Sequence, residues 1–207
     1  MSEEIGTLST YALVTKAPAP SVIEAARLGR AGGFVVADPM GTIVLFDAPS
    51  GSRSTSRRLA KPARELVGRT RVSAWLLLGN EYLSEAVMLA PTAKPLTLEW
   101  VADWEPPEDP ATYLADRKAW DSFCAEIAAR YGAPDRGPAL ALVRNDPVPG
   151  HARPPVSDLL RQVCVAFDLP DVAVGRSLLD SPEPGLHQAQ RFDVASSGLF
   201  RRVLARS

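Results

Sequence analysis

The chain has 207 residues, with 23 basic and 24 acidic side chains, a net charge of −1, 46% hydrophobic residues and 23% charged residues. That balance is ordinary for a globular domain and excludes a wholesale polycation or a low-complexity charged chain. No apolar run approaches the roughly 20 residues that span a bilayer, and at this length folding buries about 70% of the surface, so a core needs neither disulfide nor metal.

The charge is sorted along the chain. Arg53, Arg57, Arg58, Lys61, Arg64, Arg69 and Arg71 crowd a stretch whose one acid is Glu65, and residues 50–72 carry +6. Residues 73–135 carry −7, while the flanking blocks 1–49 and 136–207 carry −2 and +2. Two surfaces of opposite sign are a means of steering partners. The opening Met1-Ser2-Glu3-Glu4 has no apolar h-region, so no secretory signal is expected and the cytoplasm is the default compartment. Nineteen arginines against four lysines, with abundant Ala and Pro, suggest a GC-rich bacterial genome.

In chain order, Thr10–Lys16 reads as a strand. Pro18 and Pro20 then precede Ser21-Val-Ile-Glu24, a capping-box spacing that opens a short helix ending by Gly29. Phe34–Asp38 and Thr42–Asp47 form a hairpin around Pro39-Met40-Gly41, and their unbroken apolar character calls for cover on both faces. Pro62 restricts the next helix to a stretch from about Arg58 to Gly68. Arg71–Leu78, Glu85–Ala90 and Leu96–Val101 read as strands. In the last, Leu96, Leu98 and Trp100 alternate with Thr97 and Glu99.

Beyond the acidic, proline-bearing junction at 103–108, Asp109 and Pro110 open a helix that Gly132 closes. Trp120, Phe123, Cys124, Ile127 and Tyr131 share one face of it. Pro138–Arg144 reads as a strand. Val156, Leu159, Leu160, Val163, Cys164 and Phe167 mark a second amphipathic helix. Proline-punctuated residues 169–193 are expected to wind over the surface, and 197–207 to form a terminal helix. The expected fold is α+β: a ferredoxin-like (split βαβ) sheet over 1–104 with helices on one face, and a helix-rich region, 105–207, packed on it as one compact unit.

Chemistry-bearing patterns are sparse. The Ser/Gly/Arg stretch 50–58 follows a strand and precedes a helix, a setting that suits a phosphate or carboxylate, but no Walker spacing is present. His151 and His187 each sit in a Pro-Gly-His context beside acids, yet no metal-ligand spacing joins them. Cys124 and Cys164 fall on apolar helix faces, where a thiol behaves as a small hydrophobe. Glu105, Glu108 and Asp109 resemble paired carboxylates only in composition, and all four tryptophans are assigned to core packing.

The leading expectation is a non-catalytic cytosolic accessory or assembly module that contacts a protein partner, or another copy of itself, through Arg53, Ser54, Arg57, Arg58 and Arg64. Reversing Arg57, Arg58 and Arg64 to Glu is expected to abolish that association without altering the fold. The alternative is an anionic small-ligand regulator or transferase using 50–58, and the third reading is nucleic-acid binding through 53–71. No cofactor, metal or membrane contact is expected.

Overall fold

The computed structural model describes residues 9–29, 31–47, 56–147, 153–179 and 184–193; of these, the side chains of 56–58 lie outside the description. In order, the elements are β1 (Thr10–Thr15), α1 (Ala19–Arg27), β2 (Gly33–Asp38), β3 (Gly41–Phe46), α2 (Ser56–Thr70), β4 (Ala74–Gly79), β5 (Leu83–Leu89) and β6 (Leu96–Val101). Then come α3 (Pro110–Tyr131), α4 (Gly137–Ala141), α5 (Val156–Ala166) and β7 (Gln190–Phe192). The strands form one antiparallel sheet in the order β6-β5-β4-β1-β3-β2-β7. Among the described residues the fold is therefore α+β, with seven strands and five α-helices.

Strand β1 is the middle of the sheet. It pairs with β3 through Ala12↔Leu45 and with β4 through Ala12↔Leu77, and every residue of β1 and β4 is buried. Successive side chains point to opposite faces, so this double burial requires two apolar layers. Tyr11, Leu13, Val44, Phe46, Leu76 and Leu89 pack with Val22 of α1 and with Leu59, Ala63, Leu66 and Val67 of α2. Val14, Ile43, Trp75, Met88, Leu98 and Trp100 pack with Cys124 and Ile127 of α3, Leu140 of α4, and Leu159, Leu160 and Val163 of α5. Helices thus cover both faces: α1 and α2 take one, and the C-terminal helices take the other.

An aromatic triad fastens that second layer. Trp75 of β4 lies 6.1 Å from Tyr131 at the end of α3 and 5.2 Å from Phe167 just after α5, and Tyr131 and Phe167 meet edge-on at 4.7 Å. On the opposite face the Tyr11 hydroxyl donates to the Leu59 carbonyl at 2.9 Å and ties α2 to β1. The hairpin at 38–41 forms as expected, with Asp38 opposite Gly41. A side chain at Gly41 would put its Cβ 2.5 Å from the Thr15 carbonyl oxygen, so β3 can lie against β1 there only without one.

Four expectations are corrected. Helix α1 starts two residues before Ser21, behind Pro18 and without a side-chain cap. Pro20 supplies the fixed φ of a first turn, and Ser21 lies inside the helix. Helix α2 spans Ser56–Thr70, two residues longer at each end than expected, with Pro62 inside it. The lost hydrogen bond and ring clash fall near the helix start, and the four buried side chains on either side of it, Leu59, Ala63, Leu66 and Val67, hold the helix to the sheet. Residues 138–144 hold α4 rather than a strand, because Leu140 and Val143 are buried three apart while Leu142 is 77% exposed. Residues 169–193 do not merely cross the surface. Leu169, Ala173, Val174 and Leu178 enter the core, and β7 extends the sheet beside β2. The expected helix at 197–207 lies outside the described residues.

Helix α3 is as its sequence foretells. Asp109 accepts from the Thr112 amide at 2.9 Å, Pro110 takes the first position, and Gly132 closes the helix at φ +98°. Because α5 seats Leu160 wholly buried against the sheet, Leu160→Ala is expected to cost about 2–5 kcal/mol. In urea, tryptophan fluorescence and far-UV dichroism should shift together to a lower midpoint. An unchanged midpoint, or two separated transitions, would contradict the shared core.

Candidate functional site

The residues singled out from sequence fall into two groups. Arg53 and Ser54 lie outside the described residues. Arg57 and Arg58 fall in the first turn of α2, but their side chains are outside the description. Arg64 is exposed on α2, as is Lys61 one turn earlier, because Leu59, Ala63, Leu66 and Val67 turn the opposite side of the helix to the sheet. Arg69 donates to the Ala25 carbonyl at 3.1 Å, and Arg71 is exposed just beyond the helix. Among the described residues no carboxylate lies within 4 Å of Lys61, Arg64, Arg69 or Arg71. By contrast, Arg130, Arg136, Arg144, Arg153, Arg161 and Arg191 each pair with an acid.

The other sequence candidates have mundane settings where they are described. His151 lies outside the described residues, and His187 is exposed. Among the described residues no three His, Cys, Asp or Glu side chains gather at metal-binding distance. The carboxylate of Asp109 is held below its ordinary range by the Thr112 hydroxyl and amide, which is cap chemistry. Glu105 pairs with Arg153 at 2.8 Å. No described helix is long and apolar enough to cross a membrane.

A different cluster, at the outer margin of the sheet, is a cavity of about 230 Å³ between β6, α3 and residues 144–146. Trp100, Trp104 and Trp120 line it together with Glu99, Asp116, Arg144, Asn145 and Asp146. The indoles are fixed by their own N–H groups: Trp100 Nε1 donates to the Val143 carbonyl at 3.2 Å, and Trp120 Nε1 to the Ala141 carbonyl at 3.1 Å. Their rings meet edge-on with centroids 6.2 Å apart. Asn145 Nδ2 donates to the Val101 carbonyl at 2.8 Å and closes the end of β6.

Arg144 donates to Asp146 through Nε at 2.7 Å and Nη2 at 3.2 Å, and its guanidinium carbon stands 5.8 Å from the Trp120 ring centre. The Tyr113 hydroxyl adds a bond to the same carboxylate at 3.3 Å. Two buried polar atoms here, Arg144 Nη1 and Asn145 Oδ1, have no hydrogen-bond partner among the described residues. The assignment of every tryptophan to the core missed this cavity: Trp75 and Trp100 are buried, but Trp104 and Trp120 are only half-buried. The available signal was Asp116 and Trp120 at i,i+4 on one helix. Reading 138–144 as a strand hid Arg144, since a strand sends neighbouring side chains to opposite faces.

The two cysteines are free and buried, and burial pushes each thiol from its ordinary 9.0 up to about 12. A thiol so placed stays protonated and inert. Because the folded value lies above the unfolded one, the stability linked to each thiol is fully present below about pH 9 and is lost as pH rises through about 12. Urea midpoints are therefore expected to fall across that window. At about pH 8 a thiol reagent should label neither cysteine in the folded protein and both in urea; rapid labelling without urea would contradict the burial.

No family model, curated protein or solved structure matches this chain, so the functional reading rests on its own residues.

Proposed function

We propose that this chain is a non-catalytic interaction or assembly module of the bacterial cytosol, with the basic face of α2 as its contact surface. The observation that carries the reading is the contrast in pairing. Six arginines outside the basic segment have a carboxylate partner within their own fold, whereas Lys61, Arg64, Arg69 and Arg71 have none among the described residues. Arg27, Arg117 and Arg176 also lack one, but only these four lie together, on α2 and just beyond its end. Arginine is weakly hydrated and offers a planar fork of donors, so a surface that leaves it unpaired is suited to the carboxylates of another molecule. We further propose that β1–α1–β2–β3–α2–β4 forms a ferredoxin-like (split βαβ) unit. This is supported by β1 pairing with both β3 and β4, with β2 outside β3. The anionic-ligand alternative depends on residues 50–58 and gains no support from the described residues.

The double reversal Lys61→Glu with Arg64→Glu tests the reading, since both side chains are exposed and the buried side of α2 is untouched. Sedimentation velocity in low salt reports self-association, and cross-linking in cells followed by recovery of the chain reports any other protein. The reversed variant is expected to lose the association at least tenfold while keeping its far-UV spectrum and melting temperature. Association that survives the reversal would overturn the proposal. A nucleic-acid duplex bound with an affinity that falls steeply with salt would replace it by the third reading.

A further inference from the structure

We propose that the cavity bordered by Trp100, Trp104, Trp120, Glu99, Asp116 and Asn145 is a binding site for an organic cation, an ammonium or guanidinium group on a slim aliphatic stem. Charge is the first argument. Asp116 and Asp146 line the cavity against one lining base, and that base is already spent, since Arg144 gives two hydrogen bonds to Asp146; Glu99 borders it from β6, at a position that alternates with Trp100. Glu99 and Asp116 remain without an ion pair among the described residues. Both are exposed, so their field reaches an entering ligand through water.

The aromatic lining is the second argument. An indole face carries negative charge density and attracts a cation within about 6 Å of its centre. The protein already demonstrates the fit, since the Arg144 guanidinium occupies that position over Trp120. Trp104, half-buried and bonded to nothing through its indole nitrogen among the described residues, offers a second ring.

The third argument is an acceptor with nothing to accept. Asn145 is 6% exposed, its Nδ2 is committed to the Val101 carbonyl, and its Oδ1 has no donor among the described residues. That oxygen has less than 1 Å² of accessible area, so an N–H of the bound cation meets it only when the Asn145 amide turns toward the cavity. The unpartnered Arg144 Nη1 points the other way, toward an acceptor. An anion reaching for it, however, would have to settle beside Asp116 and Asp146, with Arg117, which interacts with Asp146 and Tyr113, as the one further positive charge near them among the described residues. Size completes the case: about 230 Å³ falls below the roughly 300–1,000 Å³ of sites for larger ligands, and suits one small cation or one side chain rather than a nucleotide.

Butylguanidinium and its neutral isostere butylurea separate charge recognition from apolar filling. Isothermal titration, with tryptophan fluorescence as a second readout, is expected to show butylguanidinium binding at least tenfold tighter than butylurea. Acetyl-arginine methylamide asks whether the cation arrives on a polypeptide. Tighter binding than butylguanidinium assigns the site to a basic residue of a chain, and weaker binding assigns it to a free small cation; either result supports the site. Glu99→Gln with Asp116→Asn should weaken butylguanidinium about tenfold and leave the melting temperature unchanged, because both side chains are exposed. Trp104→Ala should weaken it at least threefold. Equal affinity for the urea, unchanged affinity in the charge-neutralised variant, or no heat and no fluorescence change at millimolar butylguanidinium would overturn the proposal.

Discussion

The structure depends on a sheet whose central strands cannot face water. Every residue of β1 and β4 is buried, so an apolar layer is obligatory on each side, and the chain supplies α1 and α2 for one and α3–α5 for the other. Burial of apolar surface at about 25 cal/mol per Å² makes this the dominant favourable term. The aromatic triad of Trp75, Tyr131 and Phe167 concentrates it where α3, α5 and β4 converge. Cover thins toward the sheet margin. In β6 only Leu98 and Trp100 are buried, while Thr97, Glu99 and Val101 are exposed. A cavity at that margin follows from the layering, since α3 overhangs the last strand and residues 144–146 close only part of the gap.

The same layering separates the charges. The basic face belongs to α2 on one side of the sheet, and the acid-lined cavity involves α3 on the other. With the sheet between them the two cannot neutralise each other in one molecule. Exposed ion pairs contribute only about 0–1 kcal/mol each, so the pairing of Arg130, Arg136 and Arg161 with nearby acids says little about stability. It does say where charge has been satisfied. Lys61 and Arg64 have no such partner among the described residues, which leaves their charge exposed on α2.

Sequence patterns are legible where one local rule acts without competition. The alternation of β6, the Asp109–Pro110 start and Gly132 stop of α3, and the six apolar positions 156–167 of the α5 region are all found as expected. Reading fails where two rules compete. Leu140 and Leu142 suggest a period of two, but Leu140 and Val143 are the buried pair, and a five-residue helix leaves too few positions to distinguish the periods. Pro62 argues for a short helix, yet α2 runs over Ser56–Thr70, held to the sheet by the buried Leu59, Ala63, Leu66 and Val67. The cavity was illegible for another reason. Its residues come from 99–104, 116–120 and 144–146, and only the folded sheet margin brings them together.

Buried polar atoms without partners help distinguish packing from binding. Trp75 Nε1 and Tyr131 Oη are two of them, and both belong to rings stacked in the core. An aromatic ring buries roughly 150–250 Å², worth several kcal/mol, which outweighs a penalty of about 1–3 kcal/mol for an orphaned group. Those two orphans are by-products of a favourable packing choice. Asn145 has no comparable compensation: its side chain is small and polar, and a single bond to the Val101 carbonyl holds it. An apolar residue there would lose that bond but spare the unsatisfied acceptor. The amide is intelligible when its oxygen is set aside for a donor that arrives from outside, and the carboxylates and indoles beside it specify that donor as cationic.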